Sequence, residues 1–166
     1  MKYIQKIKLQ NFGRFQSLGI SLDPKINILI GENEAGKSTI LSAIHHVLSG
    51  SKSRIETIGI EKILNVQKVK EFLALPQKLY ANLPVAFVEL YFNEQNNFEL
   101  NGKNNSDGVV CDGLRLTCTP DPTLSAEINE ILKETTDNFP FEFYSVQFNT
   151  FQGDGYSGYK KYLRHI

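Results

Sequence analysis

Gly31-Glu32-Asn33-Glu34-Ala35-Gly36-Lys37-Ser38-Thr39, near the start of a chain of 166 residues, decides the fold. Its spacing, Gly31 and then four residues before Gly36-Lys37-Ser38, matches the G-x-x-x-x-G-K-[ST] phosphate-binding pattern. The flanking sequence supplies what that pattern needs. Upstream, Ile26-Asn27-Ile28-Leu29-Ile30 is apolar on both faces and predicts an interior strand of a covered sheet. Downstream, Ile40, Leu41, Ile44, Val47 and Leu48 recur at helical spacing until Ser49-Gly50, so a helix should open at Lys37. Strand, glycine loop and helix in that order bring backbone amides and a positive helix end around a phosphate. The Lys37 ammonium is then expected at the β- and γ-phosphates, and the Ser38 hydroxyl on Mg²⁺. Asn33, Glu34, Ala35, Gly36, Lys37, Ser38 and Thr39 are the residues expected to bind ATP, although Glu32, Asn33 and Glu34 leave GTP open on physical grounds. The rival reading, a glycine turn with an incidental lysine, must treat strand, spacing and helix as coincidence.

Composition adds boundaries. With 41% hydrophobic and 22% charged residues, and 18 acidic against 18 basic side chains, the profile is globular and gives no global charge argument for nucleic acid. Cys111 and Cys118 lack nearby His or Cys partners and read as small reduced strand residues. No run approaches the roughly 18 apolar residues that cross a bilayer, and Lys2, Lys6 and Lys8 oppose a signal peptide, so a cytoplasmic protein without membrane contact is expected.

Along the chain, residues 3–9 and 18–22 are half-apolar strands, and residues 51–84 read as helix and loop broken by Pro76 and Pro84. Residues 85–92 alternate, and Asn101-Gly102 predicts a hairpin turn before another alternating run at 114–119. Asp121-Pro122 predicts a helix start, with Leu124, Ile128, Ile131 and Leu132 as its buried face, and 141–148 an aromatic strand. The expectation is an α/β lobe of the P-loop NTPase type, with a mixed sheet around the phosphate-loop helix and an antiparallel section. Its segments are 1–50 (strand, loop and helix core), 51–84 (helical insertion), 85–150 (antiparallel strands plus a helix) and 151–166.

Two motifs together carry a resemblance. Ile4-Gln5-Lys6-Ile7-Lys8-Leu9-Gln10-Asn11-Phe12-Gly13-Arg14-Phe15, followed by the phosphate loop, resembles the N-terminal lobe of SMC-like and RecF-like ABC ATPases. The resemblance implies that Arg14 approaches bound nucleotide, with Gly13 where many members carry a second basic residue; the competing role for Arg14 is a solvated turn charge. It also implies a glutamine that senses metal or attacking water. Gln152, in Phe151-Gln152-Gly153-Asp154, matches that position as a metal contact, and Gln147 is the alternative. The order of elements looks most like the OLD-family ATP-dependent nucleases, which implies work on DNA in repair or antiviral defence. ATP-driven homodimers are implied as well.

Other parts of such a site are missing. No four-apolar-then-acidic Walker B strand occurs; Glu89 and Glu142 sit in alternating strands, and no S-G-G-[QE]-like signature is found. Asp107, Asp112, Asp121 and Asp154 read as turn chemistry, and His45-His46 as helix surface. Slow or absent hydrolysis by this chain alone is the consequence. The alternatives are a nucleotide-binding module without catalysis, or a small kinase, for which the dispersed Arg54, Arg115 and Arg164 form no lid. The ending Tyr162-Leu163-Arg164-His165-Ile166 reads like an element interrupted midway.

Overall fold

A computed structural model describes residues 3–33, 35–94, 96–134 and 138–158. Glu34 and the final Tyr-Leu-Arg-His-Ile stretch, Arg164 included, lie outside them. The elements are β1 (Ile4–Phe12), β2 (Phe15–Ser21), α1 (Lys37–Ser49), α2 (Lys52–Ile58), α3 (Ile60–Ile63) and α4 (Val66–Leu73). Then come β3 (Ala86–Phe92), β4 (Asn101–Gly102), β5 (Cys111–Pro120), α5 (Ser125–Lys133) and β6 (Tyr144–Thr150).

The strands form one sheet in the order β2-β1-β3-β5, with β4 and β6 both pairing with β5. Every recorded strand pairing is antiparallel, so the expected mixed sheet is corrected to an antiparallel one. Strand periodicity sorts its residues onto two faces. On the inner face Leu9 pairs with Leu18, Val88 with Leu116, and Cys118 with Val146. Ala43 and Val47 of α1 and Ile128 of α5 are buried in the same core. The expected buried face of α5 holds in part: Ile128 is buried and Leu132 and the preceding Leu124 pack partly buried against this core, whereas Ile131 is not among its residues.

The outer face carries Lys6, Lys8 and Gln10 from β1, Phe87, Glu89 and Tyr91 from β3, and Arg115 and Thr117 from β5. Glu89 lies on an antiparallel strand, as its alternation predicts, and it is completely buried. Residues 103–110 cross over it, and its carboxylate accepts hydrogen bonds from Ser106 N–H (2.7 Å), Ser106 Oγ–H (2.7 Å) and the Tyr91 hydroxyl (2.9 Å). Arg115 Nε stands 3.6 Å from the same group. A buried carboxylate is tolerated because these donors replace its water.

Three further expectations change. Asn101-Gly102 is not a turn but β4, paired with Asp112 and Cys111, and residues 103–110 make the connection. Asp112 is buried on β5 and accepts from Asn101 Nδ2 at 2.7 Å. Residues 26–30 form no strand: Leu29 packs on the core, while Ile26, Ile28 and Ile30 are 73%, 77% and 90% exposed. Burying those three side chains would be worth about 5 to 9 kcal/mol at 1.5–3 each, a stabilisation this arrangement leaves unrealised.

Candidate nucleotide-binding site

Helix α1 opens where the glycine loop ends. Gly36 is its N-cap in the left-handed region (φ 98°), and its carbonyl accepts from Ile40 N–H at 3.1 Å, the first intrahelical bond. The loop before it is tightened by Ala35 N–H donating to the Glu32 carbonyl at 3.2 Å. Lys37 folds back across this turn. Its ammonium donates to the carbonyls of Gly31 and Glu32, the second at 2.7 Å. The cation therefore stands over the loop on backbone oxygens, and a phosphate brought to the helix end offers it a stronger, charged acceptor.

The upstream motif meets the loop directly. β1 and β2 are joined through Asn11 (φ 49°) and Gly13 (φ 51°), and a Cβ on Gly13 would lie 2.7 Å from Thr39 Cγ2. The Phe15 ring fills the space that a side chain at position 36 would need. Arg14, exposed, thus sits between two residues that touch the first turn of α1. Residues 63–65 hold the turn in place: Gly13 N–H donates to the Ile63 carbonyl (2.7 Å), and Asn65 Nδ2 to the Gly13 carbonyl (2.8 Å). Asn65 is buried and also caps α4 through Lys68 N–H.

Beside Ser38 and Thr39 lies a cleft of about 280 Å³, walled by Phe12, Gly13, Ser42, His46, Ile58, Lys62 and Ile63. Ser38, Ser42 and His46 enter it at intervals of four, one stripe of α1. Their spacing was readable in the sequence, but Lys62 and Ile58 come from the segment whose periodicity is weak. His46 corrects the expectation of a surface residue: it is buried, with Nε2 3.0 Å from Ser42 Oγ and Nδ1 without a recorded partner. Burial, and then the charges of His45 and Arg54, lower its pKa from the ordinary histidine value, so it is neutral at pH 7.

The two glutamines are not brought to this site. β1 runs toward the phosphate loop, ending at Phe12, whereas β6 runs the opposite way, as its pairing through β5 and β3 requires. Gln152, just beyond β6, therefore lies at the far end of the sheet, beside Asn101, Asp112 and Glu94. The nine residues of β1 between those two ends of the sheet span about 30 Å. Gln147 faces a depression with Lys52 and Tyr156, beyond the C-terminal end of α1.

Residues 6–152 match the AAA domain family. The chain belongs to that family. Within it, the fold is that of a P-loop NTPase. The DNA replication and repair protein RecF of Lysinibacillus sphaericus is 34% identical over 83 residues, 50% of this chain and 22% of its own length. RecF of Flavobacterium johnsoniae is 31% identical over 80 residues, 48% of this chain and 21% of its own. RecF of Bacillus cytotoxicus reaches 39% over 51 residues. The matched stretch is thus about a fifth of the two longer-matching relatives. A solved structure from work on "ATP-driven dimerization and DNA stimulated activation of SMC ATPases" covers 96% of this chain and 75% of its own, at 18% identity and a TM-score of 0.47. That overlay is too loose to place any side chain. Among the described residues of this AAA domain, no helix is long and apolar enough to cross a membrane.

Proposed function

We propose that this AAA domain is the ATP- and Mg²⁺-binding lobe of an SMC/RecF-like ATPase that works on DNA. The observation that carries the reading is the contact between its two motifs, Gly13 and Phe15 against Thr39 and Gly36, which shapes the phosphate loop from outside. The Lys37 ammonium would leave the Gly31 and Glu32 carbonyls for the β- and γ-phosphates, and the amides from Gly36 to Thr39 would receive them. Ser38 would hold Mg²⁺, and bound Mg²⁺ supplies charge neutralisation at the phosphates. The nucleoside would occupy the adjoining cleft, where Phe12 and Ile58 offer apolar walls and Ser42 and Lys62 polar ends, with Arg14 next in sequence to the lining residue Gly13.

Hydrolysis needs an acid on the metal and a group that orients water. Glu89 cannot serve, because it is buried on the opposite face of the sheet under residues 103–110. Glu142 lies in the turn before β6. The isoleucines at 26, 28 and 30 are a surface to be covered, which suits a lobe that completes its site inside a larger, dimeric head. The OLD-type version, an ATPase coupled to a nuclease in repair or antiviral defence, has the order of elements in its favour. Its carboxylate centre would have to come from elsewhere, since no metal-holding group of three or more His, Cys, Asp or Glu occurs among the described residues. The missing acid equally favours a second reading, a nucleotide-binding regulatory module without turnover.

A fluorescent ATP analogue titrated with Mg²⁺ tests the proposal. Saturable binding that weakens at least about tenfold in Lys37→Ala is expected, with turnover near background. Fast hydrolysis by the dilute chain would overturn the half-site, and binding indifferent to Lys37→Ala would overturn the nucleotide site itself.

A further inference from the structure

The outer face of the sheet holds a second feature. Lys6 and Lys8 stand two apart on β1, side by side on one face. Both ammonium groups converge on one carboxylate: Lys6 Nζ donates to Asp107 Oδ2 and Lys8 Nζ to Oδ1, each at 2.7 Å, and Lys8 also donates to Ser106 Oγ. Around them polar side chains mix with two aromatic rings, Phe87 and Tyr91, and Lys6 Nζ lies 5.1 Å from the centre of the Tyr91 ring. Gln10, Ser17 and Ser21 flank the lysines, Thr117 and Gln147 continue the face across β5 and β6, and the Arg115 guanidinium lies 4.8 Å from the centre of the Phe87 ring. Cations, hydroxyls, amides and a stacked guanidinium are the groups that contact nucleic-acid backbones.

Asp107 belongs to a strap with two different fastenings. Ser106 is tied by two bonds to the buried Glu89. Asn105, also buried, closes the strap on itself by donating to the Val109 carbonyl (2.7 Å) and accepting from Val109 N–H (3.3 Å). Asp107 by contrast is tied only at the surface, its side chain 30% exposed. Releasing it needs a rotation of one side chain and leaves the Glu89 anchor intact. Surface ion pairs of this kind are weak enough to exchange.

We propose that this face, centred on Lys6, Lys8 and Arg115, binds the phosphodiester backbone of nucleic acid, and that Asp107 occupies the lysine pair until a phosphate takes its place. A phosphate presents to two ammonium groups the same pair of anionic oxygens that Asp107 presents now. Asp107 therefore acts as a built-in competitor that sets the threshold for binding. An acidic peptide would satisfy the lysines but leaves the stacked Arg115 and the row of hydroxyls and amides unused. The choice of nucleic acid rests on the DNA-directed reading above for its ligand class, and on charge complementarity for its place.

The test is fluorescence anisotropy of a labelled DNA duplex titrated with the chain across a salt series, without nucleotide, so that a failed ATP site leaves the result untouched. Asp107→Asn is expected to bind about three- to tenfold more tightly, as two exposed ion pairs no longer compete. Lys6→Gln combined with Lys8→Gln should weaken binding and lower the slope of log affinity against log salt by roughly two. Urea midpoints confirm that each variant is folded. An unchanged or weaker affinity in folded Asp107→Asn, or an unchanged salt slope in the double variant, overturns the proposal. So does polyglutamate binding as tightly as the duplex with the same response to Asp107→Asn.

Discussion

The antiparallel sheet and the phosphate-loop segment are both apolar in sequence, yet one is closed and the other open. In β3 and β5 each inward side chain meets a partner across the ladder, and Val88, Leu90 and Leu116 have no exposure at all. In residues 26–30 a comparable run leaves three isoleucines in solvent. The difference teaches that apolar pattern reports a need for burial and says nothing of which neighbour meets it.

The largest effect that could break this contrast is thermodynamic. Leu116→Ala should cost about 2–5 kcal/mol in urea unfolding, the usual price of a cavity in a packed core, whereas Ile28→Ala should stay within about 0.5 kcal/mol. Equal losses would show that the segment is covered in solution. Next, Lys37→Ala should weaken Mg-ATP by about ten- to a hundredfold, the 1.5–3 kcal/mol of a charge-assisted contact. Its urea midpoint should not move, because Lys37 bonds only carbonyls of the open loop.

A smaller effect lies at the border of the two regions, in His46. Its folded pKa is lowered, so the unfolded chain binds more protons, and stability present above about pH 6.5 is lost as the pH falls from there through the lowered folded value. Urea midpoints at pH 7.5 and 5.5 should differ in that direction, and His46→Gln should shrink the gap; an undiminished gap would assign it elsewhere. The smallest readout is chemical. Burial pushes the Cys118 thiol up to about 12, so a thiol reagent should modify it only as fast as β5 opens, and more slowly than the half-buried Cys111. Fast labelling of Cys118 would mean the closed half breathes.

Much of the closed half was legible. The helix at Lys37 and its stop at Gly50, the alternation of residues 86–92 and the Asp121 cap follow from spacing and capping chemistry that act within a few residues. Failures came where a distant segment intervenes. The alternation around Glu89 gave its strand but not its burial, which comes from residues 103–110 arriving from beyond the next strand. Asn101-Gly102 has the chemistry of a turn, but pairing with β5 claimed it for the sheet. Residues 51–84 fold as helices of four to eight residues, each too short to display a period. In the site, the loop, Ser38 and the neighbouring Arg14 turn were readable, while the cleft walls at Ile58 and Lys62 were not.

The ring of Phe15 against Gly36 has one more consequence. A glycine loop left to itself samples many shapes and must be ordered when its ligand arrives. Here an aromatic side chain from another hairpin serves as a mould, so part of that ordering is complete before any phosphate approaches. A chain with alanine at position 15 would keep every residue of the phosphate pattern and still grip its ligand less firmly, having lost the form against which the loop is cast.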